Sequence, residues 1–146
     1  MRLRRDVYSG HLKLNGDQHF DTLREANNLA TSLVNLKRFE EAKSLMRKTL
    51  PVARRVLGED HHLTLWMRRD YGMVLYRDPA ATLDDLREAV TTLEDTERIA
   101  RRVMGGAHPL VVGIEKSLRI ARAALRAREG DVDALRDGVE ALGRET

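Results

Sequence analysis

Apolar positions recur along this chain at intervals of three and four, the spacing of one helical face, and nowhere hold the two-residue alternation of a strand. Leu23, Ala26, Leu29, Ala30 and Leu33 predict a helix over 20–35, with Asp21 or Thr22 as its N-cap. After a turn at Lys37-Arg38, Ala42, Leu45, Met46, Leu50, Ala53 and Leu57 predict a second helix over 39–57. Pro51 lies inside it and is expected to bend it, and Gly58 is expected to end it as a left-handed C-cap. A third helix is predicted over 63–77, stopped by Asp78-Pro79. A fourth covers 83–104, with Leu86, Ala89, Val90, Leu93, Ala100 and Val103 facing inward. The next starts at His108-Pro109, Pro being harmless in a first turn. It runs through Val111, Ile114, Leu118, Ala121 and Leu125 to about Arg128. A turn at Gly130-Asp131 is expected to separate it from a short last helix over 132–142, followed by a frayed end. Leu3, Val7, Leu12 and Leu14 predict one more helix over 1–14.

The connections between these helices repeat. The Gly, His, Thr and Leu of Gly16, His19, Thr22 and Leu23 return 42 positions later as Gly58, His61, Thr64 and Leu65. They return more loosely 47 positions further on, in Gly105-Gly106-Ala107-His108-Pro109-Leu110. A period in this range marks stacked helix pairs. The expected organisation is a single all-α domain, a short α-α superhelix of antiparallel helix pairs. Residues 1–14 form a partial repeat or capping helix. Residues 15–57 form one repeat, 58–104 a second with an insertion near 78–82, and 105–146 a degenerate repeat with a C-terminal cap.

Composition narrows the function. Charged residues make up 34% and aromatic residues 4%, which favours helix. There is no cysteine, so disulfides and thiolate metal sites are excluded. No apolar run is long enough to span a membrane. The basic start, Met1-Arg2-Leu3-Arg4-Arg5, has no apolar stretch behind it and so does not read as a secretory signal. These features lean toward a cytoplasmic protein. Carboxylates are plentiful, but they alternate with arginine along helices, as in Asp84-Asp85-Leu86-Arg87-Glu88, the pattern of a solvated face. No nucleophile–base pair, glycine-rich phosphate loop or metal-binding His spacing is present, and no enzyme and no cofactor is expected. His61-His62 stands beside Glu59 and Asp60, but His61 belongs to the repeated loop and is expected to bond backbone at the next helix start. The doublets Arg54-Arg55, Arg68-Arg69 and Arg101-Arg102 are balanced by 23 acidic residues, which weighs against a nucleic-acid partner.

The segments Ala26-Asn27-Asn28-Leu29-Ala30, Phe39-Glu40-Glu41-Ala42 and Leu57-Gly58-Glu59-Asp60-His61, with Thr64-Leu65, resemble tetratricopeptide repeats of the 42-residue kinesin-light-chain type. The resemblance is closest over 15–76, looser to 110 and faint beyond. It implies small residues where paired helices touch, here Ala30, Gly72, Ala42 and Ala89. It also implies a concave groove, lined by the first helix of each pair, that holds a partner peptide. In kinesin light chains the partner is often an acidic segment containing tryptophan. Laid on this chain, the pattern places Arg24, Asn27, Thr31, Asn35, Trp66, Arg69, Met73, Tyr76, Arg77, Lys116 and Ile120 in the groove. The expected role is a non-catalytic interaction module for a protein or peptide, acidic and with an aromatic or apolar anchor. The alternative is a structural subunit held in a larger complex by its helix edges. About three repeats are needed for a stable stack. Leu3 and Val7 at one end, and Val132, Leu135, Val139 and Leu142 at the other, are therefore expected to be covered by a second copy or another protein.

Overall fold

A computed structural model describes residues 2–145, and over them the chain is all helix and turn. The helices are α1 (Arg2–Asn15), α2 (Phe20–Asn35), α3 (Phe39–Leu57), α4 (His62–Arg77), α5 (Leu83–Met104) and α6 (Pro109–Glu145). Each packs on the next in sequence, as in a helical repeat. The backbones of α2 and α4 also approach each other, as do those of α4 and α6. Those of α1, α3 and α5 do not. Only long side chains bridge them, as in Arg5–Glu41 and Lys43–Asp85. The stack therefore curves with α2, α4 and α6 on its inner wall. The predicted core residues Leu23, Met46, Leu93, Val111 and Ile114 are all buried, and α4, for which no inward face was assigned, adds Leu65, Met67 and Leu75. Gly72 is small for a reason. A Cβ there would stand 2.7 Å from Cγ of the buried Leu93, so α4 lies against α5 with no room between.

The interhelix loops are built alike. His19, His61 and His108 each turn Nδ1 back to accept the N–H two residues on, at 3.0–3.1 Å. His19, not Asp21 or Thr22, is the N-cap of α2. The Thr22 hydroxyl instead donates to the carbonyl of His11 in the preceding helix, and Thr64 donates to Ala53 in the same way. The two pairs are 42 positions apart, so one tie holds successive repeats together. Gly58 ends α3 at φ 95°, ψ 160°. This is outside the expected left-handed helical region but in one that a side chain rarely enters. The true left-handed cap is Lys37, at φ 61°. There the N–H groups of Lys37 and Arg38 return to Val34 and Leu33, closing a Schellman motif.

Three expectations change. The five extra residues of the second repeat are divided. The connection 78–82 is two residues longer than 36–38, and α5 is three residues longer than α3. Asp78 turns that connection by accepting from Ala80, and Thr82 and Asp85 form a reciprocal capping box at the start of α5. Val103, expected inside, is 45% exposed, because Met104, one position on, takes the inward place against the core. The largest change is at Gly130-Asp131, where no turn forms. The helix continues for 37 residues, roughly 55 Å at 1.5 Å per residue. One glycine costs a helix about 1 kcal/mol, and the arginine, alanine and leucine around it outweigh that.

Candidate functional site

The inner wall carries two adjoining hollows. The first, about 330 Å³, lies between α2 and α4 and is reached by Arg4 of α1; the second, about 380 Å³, lies between α4 and α6. Arg69, Met73 and Arg77 border both, so the two form one furrow across the three inner helices. Helical spacing explains this arrangement. Trp66, Asp70, Met73 and Arg77 fall at i, i+4, i+7 and i+11, one face of α4.

Asn27, Thr31, Asn35, Trp66, Arg69, Met73 and Arg77 line the first hollow; Tyr76, Lys116 and Ile120 join at the second. Arg24 lines neither. It lies 5.8 Å over the Phe20 ring and pairs with Asp21 and Glu25 at the start of α2. The Thr31 hydroxyl is taken by the Asn27 carbonyl of its own helix at 3.1 Å.

The floor is polar and buried. Asn27 Nδ2 donates to Asp70 Oδ2 at 2.9 Å, and Arg69 donates to Asp70 Oδ1 through Nε and Nη2 at 3.2 and 3.0 Å. Burial pushes the Asp70 carboxyl above its ordinary range, opposed by Arg69 and by the Asn27 bond. Asn27 Oδ1 is buried and accepts nothing. Since a carboxylate can only accept, Asn27 must point its amine at Asp70, and this oxygen is left as an open acceptor. Above the floor the Arg69 guanidinium lies 5.0 Å from the centre of the Trp66 ring. Trp66 remains 43% exposed, so its neighbours leave it open to a ligand. Gly113 lets α6 approach this guanidinium, since a Cβ there would stand 3.0 Å from Arg69 Nη1. Arg4, Arg77 and Lys116 have no ion pair among the described residues and make the rim basic.

Sequence reasoning missed Arg4 and Asp70. Asp70 was signalled by its place one turn after Trp66 on the same face. Arg4 belongs to α1, before the stretch of close resemblance, and had no such signal. Among the described residues no three His, Asp or Glu side chains converge as metal ligands, and no helix is long and apolar enough to cross a membrane. His61 and His62 stack at 4.5 Å beside Phe20, with His61 Nδ1 occupied as the cap.

Residues 16–78 match the family model of the tetratricopeptide repeat. This segment is similar to tetratricopeptide repeats. It takes in α2, α3 and α4, the pair that forms the first hollow included. Such repeats generally mediate protein–protein contacts and are not catalytic. Comparison with curated proteins finds no match to the chain.

Proposed function

We propose that the furrow holds an extended segment of a partner protein, one that carries carboxylates and a single large apolar side chain. The observation that carries this reading is the exposed Trp66 ring beside Arg69, over a buried floor whose Asn27 Oδ1 lacks a donor. Trp66 and Met73 receive the apolar anchor, while Arg4, Arg77 and Lys116 meet the carboxylates. On this reading 15–57 and 58–104 are successive repeats of the kinesin-light-chain type, which the shared loop ties support, and α6 closes the groove.

Trp66 is the one tryptophan of the chain, so its emission reports entry into the furrow directly. Short tryptophan-free peptides, acidic with one leucine, are titrated against the wild type and against Arg77→Glu/Lys116→Glu. Saturable change in the wild type, weakened at least about tenfold in the variant and by added salt, is expected. Equal affinity for acidic and basic peptides, or equal binding by the variant, overturns the reading. The second reading, a subunit held by its ends, is favoured by the bare apolar stripes on α1 and α6.

A further inference from the structure

Beyond residue 129 the long helix leaves the body of the protein. Arg87 in the second turn of α5 reaches Glu129 at 3.8 Å, and after it every residue of α6 from 130 to 142 is exposed. Its apolar spacing does not stop there. Val111, Ile114, Leu118 and Ala121, buried against the stack, continue through Leu125 to Val132, Leu135, Val139 and Leu142 with the same three-and-four rhythm. The stripe that seals α6 to α5 thus runs on uncovered, with Leu135 72% exposed.

The opposite end of the stack has a matching defect. α1 turns Tyr8 toward Leu29 and Leu33 of α2. Its other side carries Leu3, Val7, Gly10 and Leu14 at i, i+4, i+7 and i+11, with Leu3 74% and Leu14 85% exposed. Shifted by 42 positions, the first three of these fall on Leu45, Thr49 and Val52 of α3, which are buried or half-buried. The bare side of α1 is therefore a helix-packing side without its helix.

We propose that these two faces cover each other between copies of the chain: α1 of one molecule lies along the distal part of α6 of the next. Charge selects this pairing. α1 has four basic residues and one acidic, whereas 129–144 has five acidic and two basic. A tail-to-tail contact would set acid against acid. Length agrees as well, since α1 has 14 residues and the bare part of α6 about the same. The docked helix would also prolong the side on which α5 already lies. The contact is heterologous, so it builds chains or rings rather than a closed two-fold dimer. One helix pair of this length buries less than the roughly 1,200 Å² of stable interfaces, which makes the contact weak and reversible.

The full chain is followed by sedimentation velocity from micromolar to about 1 mM, at low and high salt. The head variant is Leu3→Glu/Leu14→Glu and the tail variant Leu135→Lys/Val139→Lys. All four side chains are well exposed, and unchanged circular dichroism confirms the fold. If either variant loses helix, the corresponding alanine pairs replace it. The wild type is expected to gain mass with concentration and to lose it with salt. Each variant alone is monomeric, and their equimolar mixture forms a dimer that grows no further, because one intact head meets one intact tail. A wild type monomeric throughout overturns the proposal. So does a head variant that assembles like the wild type, which would mean tail-to-tail pairing, or a mixture that stays monomeric. Arg77→Glu/Lys116→Glu leaves the assembly unchanged, which separates this test from that of the furrow.

Discussion

The first and last parts of α6 carry the same apolar rhythm and meet opposite fates. Val111, Ile114, Leu118 and Ala121 are buried, while Val132, Leu135, Val139 and Leu142 are exposed. The repeat segment 16–78 shows what the covered state looks like. There every helix has a neighbour before and after it, and the loops at 16–19 and 58–61 are tied by the same Gly, His and Thr contacts. An apolar stripe thus marks a face that can be buried. Burial itself depends on what the rest of the chain brings to that face.

The sharpest way to break the comparison is a matched pair of leucines. Leu93→Ala empties a fully buried site between α4 and α5 and is expected to cost about 2–5 kcal/mol. Leu135→Ala removes the same atoms from an exposed site and is expected to change stability by less than about 0.5 kcal/mol. Urea unfolding at low protein concentration, where copies do not associate, measures both. Similar losses would mean that the distal helix is part of the core.

A smaller effect tests the loop ties. His61 accepts the Leu63 N–H only through an unprotonated Nδ1. Burial, and then the neighbouring His62, holds its pKa below the usual value. On acidification the unfolded chain therefore takes up its proton first. The stability due to neutral His61 is complete above about pH 6.5 and is lost as the pH falls below that. His61→Asn keeps a capping acceptor that does not titrate. The wild type is expected to lose more stability than this variant between pH 7.5 and 5, by a fraction of the roughly 0.5–2 kcal/mol a cap is worth. Parallel losses in melting temperature would remove His61 from the account.

Most of the fold was legible because its signals are local. The limits of α2, α3 and α4 follow from the Lys37-Arg38 turn, Gly58 and Asp78-Pro79 together with the apolar spacing, and the small residue at Gly72 marked the closest helix contact. The repeat pattern named the candidate groove positions, and all of them except Arg24 lie along one furrow. What the sequence hid was non-local. The buried Asn27–Asp70 pair joins residues 43 positions apart. Arg4 arrives from α1, before the stretch of close resemblance. Gly130 was misread because glycine before Asp131 is a common turn signal. Whether it breaks a helix depends on competing contacts, and nothing competes at that point.

That last misreading gives the finest test. A Cβ at Gly130 would meet nothing within 4 Å, and the residue sits in helix interior with no positive φ. Gly130→Ala therefore adds no contact and acts only on backbone freedom, favouring helix by about 1 kcal/mol. Because residues 131–142 are all exposed, this gain is not shared with the core. Amide exchange in that stretch is expected to slow by roughly fivefold, with the melting of the repeat segment unmoved. Slower exchange throughout the protein would show that the distal helix is coupled to the stack. No change in 131–144 would show that the stretch has already broken at Gly130, as the turn signal suggested.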